Sequence, residues 1–198
     1  MARAGLTVER IVAAAADLAD EVGFEKLTLS AVARHFGVKD ASLYSHVRNL
    51  SELRTRLALL ASEEMIDRIT AAVAGRAGKD ALAAFAGAYR EFALAHPGRY
   101  AATQIRFDGS LRPLVTESGA LRRTAEITYG MLRAYGLDEP DLTDAVRLLR
   151  STFHGYCALE ATGGFNDPRD VQASWDKAVE ALDTALRHWP REGTETDD

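Results

Sequence analysis

Cysteine is almost absent from this chain: Cys157 is the only one in 198 residues. A single thiol excludes an intramolecular disulfide and any multi-cysteine metal site, and it fits a reduced, cytoplasmic setting. Proline occurs only five times, and no run of β-branched or aromatic residues alternates with period two, which excludes a sheet as the main element. Long apolar runs are missing as well. The longest near the N-terminus, Ile11–Ala16, is short and flanked by Glu9, Asp17, Asp20 and Glu21, which rules out a membrane span there and disfavours a signal peptide. The histidines (His35, His46, His96, His154, His188) show no metal-ligand spacing, and neither a glycine-rich phosphate loop nor a nucleophile elbow occurs. No cofactor, no metal and no catalytic group is therefore expected.

What is present is helical periodicity. Apolar residues make up 47% of the chain and charged residues 27%, the balance of a folded globule. Apolar positions recur at intervals of three and four, so the expected fold is all-α with about nine helices. Thr7 caps a first helix whose inward stripe is Ile11, Ala14, Ala15, Leu18 and Val22, and Gly23 ends it. Thr28 or Ser30 starts a second, ending at Gly37, and about Asp40 to Val47 forms a third. Ser51 and Glu52 open a long fourth helix to about Ala74. Beyond it the spacing predicts helices over Lys79–Ala95, from Pro97 through Tyr100, Gln104 and Phe107, over Val115–Tyr135, from Pro140 to Thr162, and from Pro168 onward. The domains read as 1–50, 51–190 and a disordered tail over 191–198.

The net charge of −5 hides an asymmetry. Between Lys26 and Arg56, six basic residues (Lys26, Arg34, Lys39, Arg48, Arg54, Arg56) face two acidic ones, Asp40 and Glu52, a local excess of four positive charges on an otherwise acidic chain. A basic patch confined to one segment fits a phosphate-rich partner for that segment alone. The same segment holds two short helices around a turn. Ala33 is small enough for a helix crossing, Gly37 suits positive φ four residues later, and Val32, Phe36, Val38, Leu43 and Val47 have the spacing of a wedge core. The remaining positions of the second short helix, Lys39, Asp40, Ser42, Tyr44, Ser45 and His46, are those a major groove would meet.

At these residues the chain resembles the tetracycline-repressor (TetR) family. The resemblance runs from about Thr7 to Leu57 and includes Val22-Gly23-Phe24-Glu25, Leu27-Thr28, Gly37-Val38, Ser42-Leu43-Tyr44, and His46-Val47 before Arg48-Asn49. It implies an N-terminal three-helix helix-turn-helix domain with the third helix in the major groove. Lys39, Asp40, Ala41, Ser42 and Ser45 would then face bases or nearby phosphates, while Thr28, Tyr44 and His46 grip the backbone. Leu50 stands where the family commonly has a lysine, and Arg48 is the candidate to replace that phosphate contact.

In the C-terminal part, Phe153-His154-Gly155-Tyr156 resembles the family's subclass marked by a Trp/Phe-His-Gly signature. That resemblance implies a dimer built by the last two helices and a ligand cavity among the helices before them. The apolar stripe of the final helix, Val171, Trp175, Val179, Leu182 and Leu186, with Leu149 and Tyr156 of the penultimate one, supplies the expected interface. Tyr89, Phe92, Tyr100, Gln104, Phe107, Tyr129 and His154 are the candidate ligand lining, aromatic with a few orienting groups.

The expectation is a homodimeric transcriptional regulator, a repressor, that binds a palindromic double-stranded DNA operator and is released by a small, largely apolar effector. A helical enzyme using a tyrosine or histidine as acid or base, or a scaffold whose helix-turn-helix docks protein, are the alternatives.

Overall fold

A computed structural model describes residues 5–107 and 109–190. The expected tail over 191–198, and Asp108 of the loop before Gly109, lie outside the described residues. Nine α-helices form among the described residues and no strand: α1 Val8–Val22, α2 Leu29–His35, α3 Leu50–Val73, α4 Gly78–Ala95, α5 Pro97–Thr103, α6 Arg112–Ser118, α7 Ala120–Arg133, α8 Asp141–Ala161 and α9 Val171–Arg187. Three short 3-10 turns, Phe24–Lys26, Asp40–Ser42 and Gly109–Leu111, complete the order.

The caps explain most boundaries. The Arg10 N–H donates to Thr7 Oγ1 at 3.3 Å, and the Ala31 N–H to Thr28 Oγ1 at 3.2 Å, so both threonines satisfy orphan donors of a first turn. Gly23, at φ 93°, ends α1 in a conformation other residues avoid. Four expected helix boundaries differ. The long helix begins at Leu50 because Asn49, not Ser51, caps it: its Oδ1 accepts the Glu52 N–H at 2.9 Å. The single helix expected over Val115–Tyr135 is split into α6 and α7 at Gly119, which sits left-handed at φ 67°. The helix from Pro97 stops at Thr103, leaving Gln104 as its C-cap and Phe107 in a loop. The last helix starts at Val171, three residues past Pro168, capped by Asp170, whose carboxylate accepts the Ala173 N–H at 2.8 Å.

The chain divides into two compact units, Met1–Asp67 with Phe92–Arg123, and Arg68–Glu91 with Thr124–Asp198. In the first, Ile11, Ala15 and Ala19 of α1 join Leu27, Val32, Ala33, Leu43, Val47, Leu53 and Leu57 in a fully buried core. Leu18 is half-buried and Val22 exposed, so the inward stripe of α1 is shorter than the sequence suggested. α5 packs on α1 through Gly98, whose missing side chain admits the Ala19 carbonyl. Arg99, one residue on, binds Asp20 with backbone and guanidinium, Asp17 at 2.7 Å, and lies 3.1 Å from Glu64.

The core of the second unit is aromatic. Phe153 is fully buried against Phe85, Tyr89 and Trp175, with ring centroids 5.5–6.1 Å apart. Arg90 closes this cluster from the side: it pairs with Glu160 at 2.6 Å and its guanidinium lies 5.4 Å from the Trp175 ring. Tyr135 donates to the buried Asp183 at 2.8 Å, and Arg187 holds the same carboxylate at 2.9 Å. Burial, then that hydrogen bond, pushes the Tyr135 phenol far above its usual range.

Candidate nucleic-acid interface

The expected third helix is not a regular α-helix. Asp40–Ser42 is a 3-10 turn, with Ser42 and Leu43 donating to carbonyls three residues back at 2.9 Å, and the chain continues as turns to His46. Only the Val47 N–H, among these, reaches four back, to Leu43. Local side-chain chemistry favours this tightening: the Ser45 hydroxyl donates to the Ser42 carbonyl at 2.9 Å, competing with the helical ladder. Two buried side chains, Leu43 and Val47, anchor the segment, each contributing about 1.5–3 kcal/mol of transfer energy.

That anchoring turns the intervening residues outward. Lys39, Asp40, Ala41, Ser42, Tyr44 and Ser45 are all exposed, and Tyr44, at 56%, is one of the most exposed large apolar side chains described. His46 is half-buried. The Asp40 carboxylate accepts a short hydrogen bond from the Ser30 hydroxyl on α2, which ties the turn to the helix before it. Thr28 is exposed, and its oxygen serves the Ala31 N–H, which leaves its own hydrogen to donate elsewhere.

Glu52, expected only to help open the fourth helix, is the buried acid of this region. It is 4% exposed and accepts from the Arg48 N–H at 3.0 Å, from Arg48 Nε at 2.9 Å and from Arg56 Nε at 2.9 Å. Burial alone would raise its carboxyl, but the Arg48 amide, the Arg48 guanidinium and Arg56 outweigh it and hold the group at about 2. Arg48 is thus fixed at the exposed edge of the reading segment instead of swinging freely. The spacing Arg48, Glu52, Arg56, each four apart, was the available signal.

Seven residues were expected to line a ligand site, and the structure distributes them over both units. Phe92, Tyr100, Gln104 and Phe107 belong to the first, Tyr89, Tyr129 and His154 to the second. Tyr89, Phe92 and Tyr100 are buried, Tyr89 in the Phe153 cluster. Gln104 donates to Thr103 Oγ1 at 2.7 Å, Tyr129 is half-buried, and His154 is exposed on α8. Phe107 lines an open cleft of about 380 Å³ with Phe24, Leu50, Arg54, Ile105 and Arg106, residues the sequence did not group.

The expected dimer residues differ in burial. Leu149, Trp175, Val179, Leu182 and Leu186 are buried inside their own protomer, because the apolar stripe of an amphipathic helix first covers its own core. Tyr156 and Val171 are half-buried, and the Tyr156 hydroxyl lies 3.4 Å from the Val171 carbonyl it donates to. The outward positions are mostly small or polar instead, Ser151, His154 and Ala158 on α8 and Lys177, Ala181, Thr184 and Ala185 on α9, with Leu159 of α8 an exposed apolar exception. Among the described residues no helix is long and apolar enough to cross a membrane, and no group of three metal-ligating side chains occurs.

Comparison with known proteins bears on this geometry. Residues 11–54 match the model of bacterial regulatory proteins of the tetR family, and residues 82–182 match a tetracyclin repressor-like C-terminal domain. The chain is 37% identical to the uncharacterized HTH-type transcriptional regulator Rv0681 of Mycobacterium tuberculosis over 164 residues, 83% of this chain and 74% of that one. It is 30% identical to the regulator YobS of Bacillus subtilis, over 93% of this chain and 94% of that one. Among solved structures, a protein of unknown function from Rhodococcus sp. RHA1 superposes with a TM-score of 0.72 at 26% identity, covering 93% and 97% of the two chains. BioQ with its double-stranded DNA operator shares the fold at a TM-score of 0.65 and 22% identity, covering 92% and 99%. With both halves matched and two relatives aligned over most of its length, this chain belongs to the TetR family of transcriptional regulators.

Proposed function

We propose that the protein is a homodimeric repressor that reads a palindromic operator through the segment Lys39–His46 and is released by a small, largely apolar effector. The observation that carries the reading is the exposed row Lys39 to Ser45 held rigid by buried Leu43 and Val47, inside the one basic stretch of an acidic chain. A groove reader needs polar side chains on a fixed backbone, and phosphate contacts beside them. Lys39, Asp40, Ala41, Ser42 and Ser45 take the groove. Thr28, Tyr44, His46 and Arg48 take the backbone, Arg48 with its side chain 73% exposed while Glu52 sets its direction.

The outward faces of α8 and α9 are the proposed dimer surface, since Ala158, Ala181 and Ala185 let helices approach closely. Two reading segments related by a two-fold axis then demand symmetric half-sites about 34–36 Å, or a multiple of that, apart. The effector is assigned to the helices of about 82–160, whose aromatic side chains can supply an apolar lining. α3 starts directly after the reading segment and continues to Val73, so a ligand that shifts it changes the half-site distance and weakens operator binding by linkage. A location in the cytoplasm follows from a DNA partner.

Selection of bound sites from random DNA tests the reading. Enriched pseudo-palindromes, bound with an affinity that falls steeply as salt rises, are expected. Asymmetric sites, or none, would refute it.

A further inference from the structure

We propose that the cleft beside the reading segment binds an organic carboxylate with a short apolar body, held by Arg54 and Arg106. The cleft lies wholly within the first unit and, at about 380 Å³, falls at the small end of ligand sites. Its walls are apolar where Phe24, Leu50, Ile105 and Phe107 line it, and two guanidiniums complete it. This division, an oily wall with cations on its lining, is the complement of an acyl or aryl acid.

Arg54 is only partly satisfied by the protein. Its Nη2 donates to the Glu25 carbonyl at 3.0 Å and approaches the Phe24 carbonyl, and its guanidinium lies 5.2 Å from the Phe24 ring. Its Nε is buried and has no hydrogen-bond partner among the described residues. The enclosed Nε is out of a ligand's reach, but the side chain keeps 27% of its surface exposed on the cleft lining, and a carboxylate is the acceptor that best suits a guanidinium there. Arg106 is exposed and makes no hydrogen bond or ion pair among the described residues, so its charge is available to the same ligand.

Among the described lining residues the acidic side chain is Glu25. Its carboxylate stands 3.8 Å from Arg54 Nη2 but is 85% exposed, and an exposed pair of this length contributes little, so an incoming carboxylate can displace it into solvent. Arg54 is also the tether between the first turns of α3 and the turn Phe24–Lys26, which places the occupant at the root of the reading segment. The binding proposal stands apart from the reading of DNA, because it is measured on the free protein.

The test is calorimetry and methyl or amide NMR on the full chain with octanoate, 4-phenylbutyrate, octanamide and inorganic phosphate. Octanoate or 4-phenylbutyrate should bind saturably, shifting resonances of Ile105, Phe107 and Phe24, and octanamide should bind at least about tenfold more weakly for want of charge. Arg106→Gln, at an exposed position, should keep the wild-type melting temperature and weaken octanoate several-fold. Arg54→Lys should weaken it too, and Ile105→Trp, which fills the cleft, should abolish it. The proposal is overturned if neither acid saturates by about 10 mM, where even a millimolar site would be filled. It is equally overturned if octanamide or phosphate binds as well as octanoate, if Arg106→Gln binds normally, or if the shifts centre on residues outside the cleft.

Discussion

Gly98 of α5 rests against the carbonyl of Ala19 on α1, in a space that has no room for a Cβ. Both partners are backbone, so neither can rotate aside. The crossing of the two helices is therefore set by the absence of a side chain, and the Arg99 pairs with Asp17 and Asp20 form one residue away because the helices are that close.

Gly98→Ala should force α1 and α5 apart and break those pairs. Overpacking against rigid backbone costs about 1–3 kcal/mol or more, and urea unfolding should show the midpoint lowered with little change in slope. The control Gly87→Ala, where an added Cβ meets nothing within 4 Å, should be neutral or slightly stabilising.

The Glu52 carboxylate predicts how stability follows pH. Its group is held at about 2 in the folded protein, below its ordinary 4.5, so its contribution is complete above pH 4.5 and is lost as pH falls toward 2. The shift corresponds to on the order of 3 kcal/mol. Glu52→Gln should unfold at lower urea than the wild type at pH 7, and the gap should narrow steadily between pH 4.5 and 2; a constant gap would show that the charge plays no part.

Within the reading segment, side chains should divide by what they touch. Ser42→Ala or Lys39→Gln should change base preference, whereas Thr28→Val should weaken all operators alike and cost about 1 kcal/mol of stability through the lost cap. Ser30→Ala frees Asp40 from the Ser30 hydroxyl and should alter preference without reducing phosphate contacts. Binding to a randomised operator library, read by sequencing at two salt concentrations, separates these outcomes.

The faces of α9 should behave oppositely under the same substitution. Ala181→Glu or Ala185→Glu, at exposed positions, should leave a folded monomer that has lost operator affinity. Leu182→Glu places a carboxylate inside the protomer's own core and should unfold it, since burying an unpaired charge costs several kcal/mol. Sedimentation velocity together with circular dichroism decides. A dimer that survives Ala181→Glu and Ala185→Glu rejects the proposed surface.

Helix type was legible in the sequence because the three-to-four spacing repeats over long segments, and caps such as Thr7 and Thr28 act within three residues of themselves. Breaks set by a single residue were harder. Gly119 divides α6 from α7, and nothing in its neighbours announces a left-handed residue inside an otherwise continuous periodic run. The reading segment was legible as a row of polar residues but not as a 3-10 turn, since Ser45 bonding to Ser42 is a choice of side-chain rotamer that periodicity does not encode. The cleft was invisible for another reason. Phe24, Arg54 and Arg106 are far apart in the chain, and only the fold brings them to one wall. The stripe of α9 is legible as apolar, but an apolar stripe does not say whether it meets its own fold or a second copy.

Cys157 is 1% exposed, and burial followed by the nearby Glu160 charge pushes its thiol up to about 11, so at neutral pH it holds almost no thiolate and offers no path to a reagent. The native chain is therefore chemically silent toward maleimides and methanethiosulfonates. A cysteine introduced at the exposed Tyr44 position becomes the sole reactive handle without any background-removing substitution. In the proposed dimer, paired nitroxides attached there would measure the distance between the two reading segments directly, with and without the proposed effector.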